Sequence, residues 1–301
     1  MISPYSCHTG GFQMRLEAFA KINWSLDIVG VRDDGYHLMD MIMQPVSLAD
    51  EVSLTAADDM AITTDGYPRS RADGSNLAMR AAVALRELTG YGGGIHIHVH
   101  KRIPMGAGLG GGSADAAAVL CGLNRMWDLG LTGNELEGIG VKLGADVPFL
   151  IRGGLARVRG IGEIIEPHAC RKNYWMLVFQ PCRGLSTREI FEAWNPEQVH
   201  HPDTEAALCA LENGNLQVLS EKIGNVLEPV SAARRPEIGE AVRALLSSGA
   251  RLAAMTGSGS AVFGVFSSGT EAEKAAEVLS RRWKHIHICH SQTDSVRISE
   301  E

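Results

Sequence analysis

The first regular element that the sequence predicts is a β-strand near the start of the chain. Apolar side chains at every second position from Ile22 to Ile28 alternate with polar ones from Lys21 to Asp27. Successive side chains of a strand point to opposite faces, so this pattern predicts a half-buried strand with one polar face. Residues 94–104 alternate in the same way and predict a second such strand.

Helical and strand-like patterns then follow one another without a regular βαβ period. The predicted helices lie at about 75–90, 113–127, 132–144, 186–194, 215–227, 237–247 and 270–283. The further predicted strands are 50–56, 175–181, the two flanks of a glycine turn within 251–266, and 285–290. Thr132 and Glu135 have the spacing of a capping box at one helix start. Runs of strands mixed with runs of helices favour two α+β domains over one doubly wound sheet.

Composition supports a soluble globular protein. The 301 residues are 45% hydrophobic and 21% charged, with a net charge of -7. That length usually divides into two domains. The negative balance argues against general affinity for nucleic acid or an anionic membrane, so a phosphate-bearing ligand would need a local positive site.

The cysteines and the chain start suggest the compartment. The six cysteines form no CxxC pair, and reduced thiols in a cytoplasmic protein are the preferred interpretation. No apolar run approaches the roughly 20 residues that a membrane-spanning helix needs. Residues 1–13 lack the pattern of a secretory signal and are predicted to be a disordered extension or a tag remnant.

A glycine-rich stretch carries the strongest chemical signal. Five glycines occupy the seven positions from Gly106 to Gly112, between a predicted strand and an alanine-rich helix. A strand, a glycine loop and a helix N-terminus together hold phosphate, because glycines let backbone amides approach and the helix dipole adds positive charge. The P-loop pattern is absent, since no Lys-Ser or Lys-Thr follows. The dinucleotide pattern GxGxxG matches 106–111, but it does not follow the first strand of a βαβ unit.

Three stretches in register resemble the motifs of the GHMP kinases. "AFAKINWSLDI" is similar to the first motif, "PMGAGLGGGSADAAAV" to the second and "MTGSGSAVFGVF" to the third. The resemblance implies a two-domain α+β fold, with an N-terminal domain like domain 2 of ribosomal protein S5 and a ferredoxin-like C-terminal domain. Residues 14–160 would bind ATP, and residues 161–301 would complete the acceptor site.

The resemblance also implies site residues. Asp146 matches the family's catalytic aspartate, a natural general base for an alcohol, and Lys21 matches its catalytic lysine. An N-cap or loop aspartate is the alternative for Asp146. Mg²⁺ would arrive with the nucleotide, because the sequence holds no metal-binding cluster of its own. The implied ATP-binding residues are Asn76, Lys101, Pro104, Met105, Gly106, Ala107, Gly108, Leu109, Gly110, Gly111, Gly112, Ser113 and Ala114.

Two further stretches resemble one branch of the family, whose acceptor is a small molecule carrying a cytidine diphosphate group. They are "VRDDGYHLMDMIMQPVSLADEV" and "LGADVPFLIRGGLARVRGIGE". By this resemblance Tyr36 and His37 bind the cytosine, Thr187 and Phe191 lie on the far side of the ring, and Asn23 contacts the acceptor beside Asp146. Packing within a helix core is the alternative for Phe191.

Several alternatives remain open at this point. The chain could be another small-alcohol GHMP kinase of the homoserine or mevalonate type, or a non-catalytic nucleotide-binding relative. A dehydrogenase would depend on GxGxxG alone. The histidines at 96, 98 and 100 alternate on one strand, where a polar outer face is favoured over a metal site. Oligomeric state is not readable from these patterns.

Overall fold

The structure is a computed structural model that describes residues 13–66, 73–170, 172–198 and 200–300. Its larger sheet contains two long antiparallel strands, β1 and β2, at its centre. The strand order is β11-β1-β2-β4-β3, and a β5-β6 hairpin joins through β2. The strands are β1 (Gln13–Val31), β2 (His37–Ala57), β3 (Met60–Gly66), β4 (Gly94–Lys101), β5 (Leu155–Gly160), β6 (Ile164–His168) and β11 (Val296–Glu300).

Helices cover one face of this sheet. They are α1 (Leu77–Thr89), α2 (Gly111–Met126), α3 (Gly133–Leu143) and α4 (Val147–Arg152). Helix α2 is rich in alanine because it lies in the core, where a Cβ on Gly122 would come within 2.6 Å of Leu54 Cδ1. Small side chains therefore let α2 approach the sheet closely, and its N-terminus reaches the glycine loop. The capping box of Thr132 and Glu135 is confirmed at the start of α3.

The second half of the chain builds a four-stranded antiparallel sheet in the order β10-β7-β9-β8. The strands are β7 (Trp175–Phe179), β8 (Leu252–Met255), β9 (Val262–Phe266) and β10 (His287–His290). The helices are α5 (Thr187–Glu192), α6 (Thr204–Asn213), α7 (Leu216–Lys222), α8 (Glu228–Arg234), α9 (Pro236–Ser247) and α10 (Gly269–Leu279), with a 3-10 helix at Pro196–Gln198. The α+β class predicted from the sequence is confirmed, and the doubly wound alternative is excluded.

The larger sheet extends beyond the predicted N-terminal domain. The β5-β6 hairpin carries the first sheet past residue 160, and β11 returns to pair with β1. The sequence places the domain boundary near residue 160, whereas the larger sheet continues to His168 and receives the last strand. Gln13, assigned above to an N-terminal extension, is the first residue of β1, and residues 1–12 of that predicted extension lie outside the described residues.

The prediction that β1 has a half-exposed polar face is wrong. Lys21, Asn23, Ser25 and Asp27 are all buried, like the apolar residues between them. The reason is that segments of the C-terminal part pack on the strand, with the amide of Leu26 donating to the carbonyl of Gly224 at 2.9 Å. The polar side chains of β1 are therefore enclosed between the two parts of the molecule.

Trp24 joins the two parts from the same strand. Its ring packs edge-on against Tyr174 and Phe263, with centroid distances of 5.2 and 5.7 Å. Its Nε1 donates to Oε1 of Gln44 at 2.9 Å, so the indole is buried without losing a hydrogen bond. This contact fixes β1 against the C-terminal sheet.

Candidate active site

A cleft of about 930 Å³ lies between the two parts of the molecule. Its walls carry residues from the strand, loop and helix regions that the three motifs occupy. The predicted site residues that line it are Lys21, Asn23, Tyr36, His37, Gly108, Ser113, Asp146, Thr187 and Phe191. The structure thus brings together side chains that are widely separated in the sequence.

The glycine loop forms one side of the cleft. Gly106, Gly108 and Gly110 have φ angles of 61°, 80° and 73°, in the left-handed region that favours glycine. At Gly108 a Cβ would lie 2.3 Å from the carbonyl oxygen of Thr256, so the loop packs backbone to backbone against the third motif. These contacts explain why the loop uses several glycines where a simple turn needs one or two.

The N-terminus of α2 is suited to an anion. Gly110 stands at the N-cap position, and no side chain caps the first turn. The first amide groups of a helix have no partner within the helix and carry partial positive charge. In α2 these amides follow directly on the glycine loop, so a phosphate chain resting on the loop would reach them.

Lys21 and Asp146 meet beside the loop. Nζ of Lys21 lies 3.7 Å from Oδ2 of Asp146 and donates to Oδ1 of Asn23 at 2.7 Å. Asp146 occupies the N-cap position of α4, yet its side chain makes no capping hydrogen bond. The carboxylate is 32% exposed and lines the cleft, so it remains free to accept a proton from a bound alcohol.

The opposite end of the cleft is aromatic. Tyr36 is 60% exposed on the loop between β1 and β2. The rings of His37 and Phe191 lie 5.1 Å apart, and Trp194 packs against His37 at 5.8 Å. Phe191 both packs against the core and lines the cleft, and its contact with a cytosine stays a prediction. Such surfaces suit a flat heterocycle.

The ammonium group of Lys101 has structural partners. Its ammonium forms ion pairs with Asp50 and with Oδ2 of Asp115, the latter at 2.6 Å, and all three side chains are buried. A Cβ on Gly111 would lie 3.5 Å from Nζ, so this cluster supports the start of α2 from beneath. The Lys101 ammonium is therefore committed to two carboxylates, and a contact of Lys101 with ATP stays a prediction.

Burial and charge shift the pKa values in this cluster. Burial raises the pKa of Asp115 from 3.8 to about 7, and the Lys101 charge offsets only part of that effect. For Lys101, burial by itself lowers the pKa, but the charges of Asp115 and Asp50 outweigh it, and the pKa lies above its ordinary value. Oδ1 of Asp115 is buried without a hydrogen-bond partner.

Asn76 also has a structural partner. Its Oδ1 accepts from the amide of Ala78 at 2.9 Å, so Asn76 is the N-cap of α1. A contact of Asn76 with ATP stays a prediction. Residues 67–72, which precede this helix, lie outside the described residues.

Sequence reasoning missed part of the cleft wall. Met39 and Met41 of β2 line it, as do Gly162 and Glu163 of the turn between β5 and β6. This turn belongs to a stretch that resembles one branch of the GHMP kinases, but the sequence assigns no site role to its residues. Ser258 lines the cleft as well, and its hydroxyl lies 2.9 Å from that of Thr187. The third motif contains Ser258 and could have indicated it, but no side chain of that motif is assigned from the sequence.

A second cavity of about 580 Å³ opens next to the other end of the glycine loop. Gly66, Lys101 and Pro104 line it from the N-terminal part, and Arg183 and Lys284 from the C-terminal part. The glycine-rich stretch contributes to both spaces, since Gly108 lines the main cleft and Pro104 lines this basic cavity.

Two further predictions concern metals and membranes. Within the described ranges, no three His, Cys, Asp or Glu side chains are grouped so that they could hold a metal ion. His98 and His100 instead contact Thr63 and Asp65 of the neighbouring β3, at 2.9 and 2.7 Å, on the partly exposed face of the sheet. Among these same residues, no helix has the length and apolar character needed to cross a bilayer.

Comparison with known families agrees with this geometry. The model for the GHMP kinases N terminal domain matches residues 76–154, and that for the GHMP kinases C terminal matches residues 207–285. The chain belongs to the GHMP kinases. The family resemblance read from the three motifs is therefore confirmed, and the dehydrogenase alternative is wrong.

Individual relatives identify the branch of the GHMP kinases to which the chain belongs. A 4-diphosphocytidyl-2-C-methyl-D-erythritol kinase from Alkaliphilus metalliredigens is 44% identical over 93% of this chain and 97% of its own. One from Clostridium tetani is 39% identical over 91% and 99%. Within the GHMP kinases the chain belongs to the family of these 4-diphosphocytidyl-2-C-methyl-D-erythritol kinases, which are phosphotransferases with an alcohol acceptor.

Solved structures support the same placement. A crystal structure of 4-(cytidine 5'-diphospho)-2C-methyl-D-erythritol kinase has a TM-score of 0.80 and 35% identity, covering 92% of this chain and 98% of that one. A homoserine kinase from Cytophaga hutchinsonii has a TM-score of 0.76 at 18% identity over 99% and 100%. At that identity the homoserine kinase shows the shared fold alone.

Proposed function

We propose that this protein transfers the γ-phosphate of ATP to the 2-hydroxyl of 4-diphosphocytidyl-2-C-methyl-D-erythritol. The observation that carries the proposal is that one cleft is lined both by the Lys21–Asp146 pair and by the aromatic end formed by Tyr36, His37 and Phe191. An acceptor with a cytosine at one end and an alcohol at the other matches this arrangement. The high identity to the named relatives supports the same acceptor.

The proposed mechanism begins with positioning. The acceptor hydroxyl lies within reach of Asp146, whose carboxylate makes no capping hydrogen bond. The hydroxyl oxygen forms a bond to the γ-phosphorus while the bond from that phosphorus to the bridging oxygen breaks, and ADP leaves. The hydroxyl proton passes to Asp146. The positive charge of Lys21 stabilises the negative charge of the transferring phosphoryl group.

The glycine loop and the start of α2 are proposed to hold the phosphates through backbone amides. The aromatic end of the cleft is assigned to cytosine, so we place the adenosine end of ATP toward the second cavity, beside Lys101 and Pro104. Mg²⁺ arriving with the nucleotide would neutralise phosphate charge. Ser113 and Asp146 line the cleft and supply oxygen atoms of the type that Mg²⁺ prefers.

The test is coupled ADP release by the purified protein with four acceptors in parallel. We expect turnover with the cytidylated erythritol and none above background with homoserine, mevalonate or galactose. Phosphorus NMR of the product would show a new phosphomonoester beside the intact diphosphate. Equal or faster turnover of homoserine or mevalonate would assign the protein to another acceptor, and ATP binding without any turnover would indicate a non-catalytic relative.

A further inference from the structure

The side chain of Thr256, in the third motif, is connected to Lys21 by hydrogen bonds through one residue, Asn23. Its hydroxyl accepts a hydrogen bond from the amide of Asn23 at 2.9 Å and donates to Oδ1 of Asn23 at 3.3 Å. The same Oδ1 accepts from Nζ of Lys21 at 2.7 Å. Thr256 and Lys21 thus both donate a hydrogen bond to the same amide oxygen, Oδ1 of Asn23.

Thr256 itself is rigidly placed. It is fully buried, and its amide donates to the carbonyl of Ala261 at 3.0 Å. Nδ2 of Asn225 donates to the carbonyls on both sides of it, to Met255 at 2.9 Å and to Gly257 at 2.8 Å. The amide of Met255 donates to a carboxylate oxygen of Glu228 at 2.8 Å. The Thr256 hydroxyl therefore has a fixed position relative to β1.

The position of the Lys21 ammonium depends on this arrangement. A lysine side chain has four rotatable carbon–carbon bonds and loses much rotamer freedom when it is fixed. Apart from Asp146, Asn23 is the acceptor that orients Lys21 among the hydrogen bonds and ion pairs of the described residues. If the Asn23 amide could rotate, Lys21 would lose its fixed distance to Asp146 and to a transferring phosphoryl group.

We infer that Thr256 is a positioning residue for phosphoryl transfer, acting through Asn23 on Lys21. The inference rests on the proposed function, because its readout is phosphorylation of the cytidylated erythritol. Thr256 itself is fully buried and does not line the cleft. Its contribution is to keep the Asn23 amide oriented so that Lys21 reaches its working position in every turnover.

The test compares Thr256→Val, which removes the hydroxyl at nearly constant shape, with Thr256→Ser, which keeps it. We expect kcat of Thr256→Val to fall by about 10-fold to 100-fold, the range associated with a misplaced catalytic group. The KM for ATP should stay near that of the wild type, since the glycine loop is untouched. Thr256→Ser should recover most of kcat. Thr256→Ala replaces the valine variant if the latter does not fold.

Ser231→Ala is the matched control. Ser231 is also fully buried, and its hydroxyl donates to the same glycine turn, at the carbonyl of Ser258, without contacting Asn23. This variant should lose a similar amount of thermal stability while kcat stays close to the wild-type value. A comparable loss of kcat in Ser231→Ala would overturn the inference, because the effect would then come from loosening the turn.

A double-mutant cycle with Asn23→Ala tests whether Thr256 acts through Asn23. If Thr256 acts through Asn23, Thr256→Val causes no further loss of kcat once Asn23 is alanine. A full additional loss, or a wild-type kcat in Thr256→Val alone, overturns the inference. An inactive wild-type protein would instead contradict the proposed function, so the two failures are distinguishable.

Discussion

Nζ of Lys21 and Oδ2 of Asp146 lie 3.7 Å apart, although one residue stands on β1 and the other at the start of α4. The glycine loop brings them together. A Cβ on Gly110 would lie 3.1 Å from Cγ of Lys21 and 3.4 Å from Cδ1 of Leu150 in α4. Only a residue without a side chain lets the strand, the loop and the helix converge on one point.

Replacing the proposed base tests this pair directly. Asp146→Asn keeps the size of the side chain but cannot accept the hydroxyl proton, and we expect kcat to fall by at least about 100-fold, the low end for losing a general base. Coupled ADP release with the cytidylated erythritol measures the effect. Asp58→Asn, an exposed carboxylate in the turn before β3, is the control and should keep full activity. A wild-type rate in Asp146→Asn would exclude this residue as the base.

The aromatic end of the cleft predicts a selective change in acceptor binding. Tyr36→Ala should raise the KM for the acceptor by about 5-fold to 150-fold, corresponding to the roughly 1–3 kcal/mol of a stacked base, and leave the KM for ATP unchanged. Tyr91→Ala is a suitable control, because Tyr91 stacks on Trp127 at 4.2 Å outside the cleft. An equal rise of both KM values in Tyr36→Ala would contradict the assignment of this end to the cytosine.

The close packing of the two glycine turns predicts a stability effect. Gly108→Ala forces a side chain into a left-handed conformation, which costs about 1–3 kcal/mol, and places its Cβ against the Thr256 carbonyl. We expect a lower melting temperature and loss of activity. Gly92 is the matched position, with open space around a new Cβ and no positive φ, so Gly92→Ala should leave both properties unchanged. Equal melting temperatures for the two variants would disprove the packing argument.

A substitution at Lys101 distinguishes a structural role of its ammonium from a role in binding ATP. Lys101→Met removes the cation between Asp50 and Asp115 and leaves these buried carboxyl groups without their ion-pair partner, so we expect a loss of about 3–5 kcal/mol in the free energy of unfolding. Urea denaturation measures this loss. If the ammonium served mainly to bind ATP, the unfolding free energy would change little and the KM for ATP would rise instead.

The same cluster predicts a pH dependence of stability. Burial raises the pKa of Asp115 to about 7, so between about pH 4 and pH 7 the folded protein holds a proton that the unfolded chain has released. The unfolded state then binds fewer protons, and the contribution of Asp115 to the free energy of unfolding falls as the pH rises. Asp115→Asn should make this slope shallower, as measured by urea denaturation at pH 5 and pH 7. An unchanged slope would show that Asp115 is ionised throughout this range.

The sequence by itself determined the local chemistry of this protein. The glycine loop before an alanine-rich helix, the capping box at Thr132 and the three motifs in register depend on neighbouring residues, because propensity, capping and close backbone approach act over a few positions. For the same reason the α+β class and the GHMP kinase family could be predicted. The pairing of Lys21 with Asp146 was available only through the family resemblance.

The tertiary structure decided which polar residues are exposed and which are committed to partners. The family resemblance places Lys101 near the nucleotide, and only the tertiary structure shows its ammonium paired with Asp50 and Asp115. The polar face of β1 is likewise buried only because the C-terminal part covers it. The pairing of β11 with β1 and the hydrogen bond between Thr256 and Asn23 also join segments that are distant in the sequence. Burial and electrostatic environment arise from contacts between such segments, and no local pattern of residues encodes them.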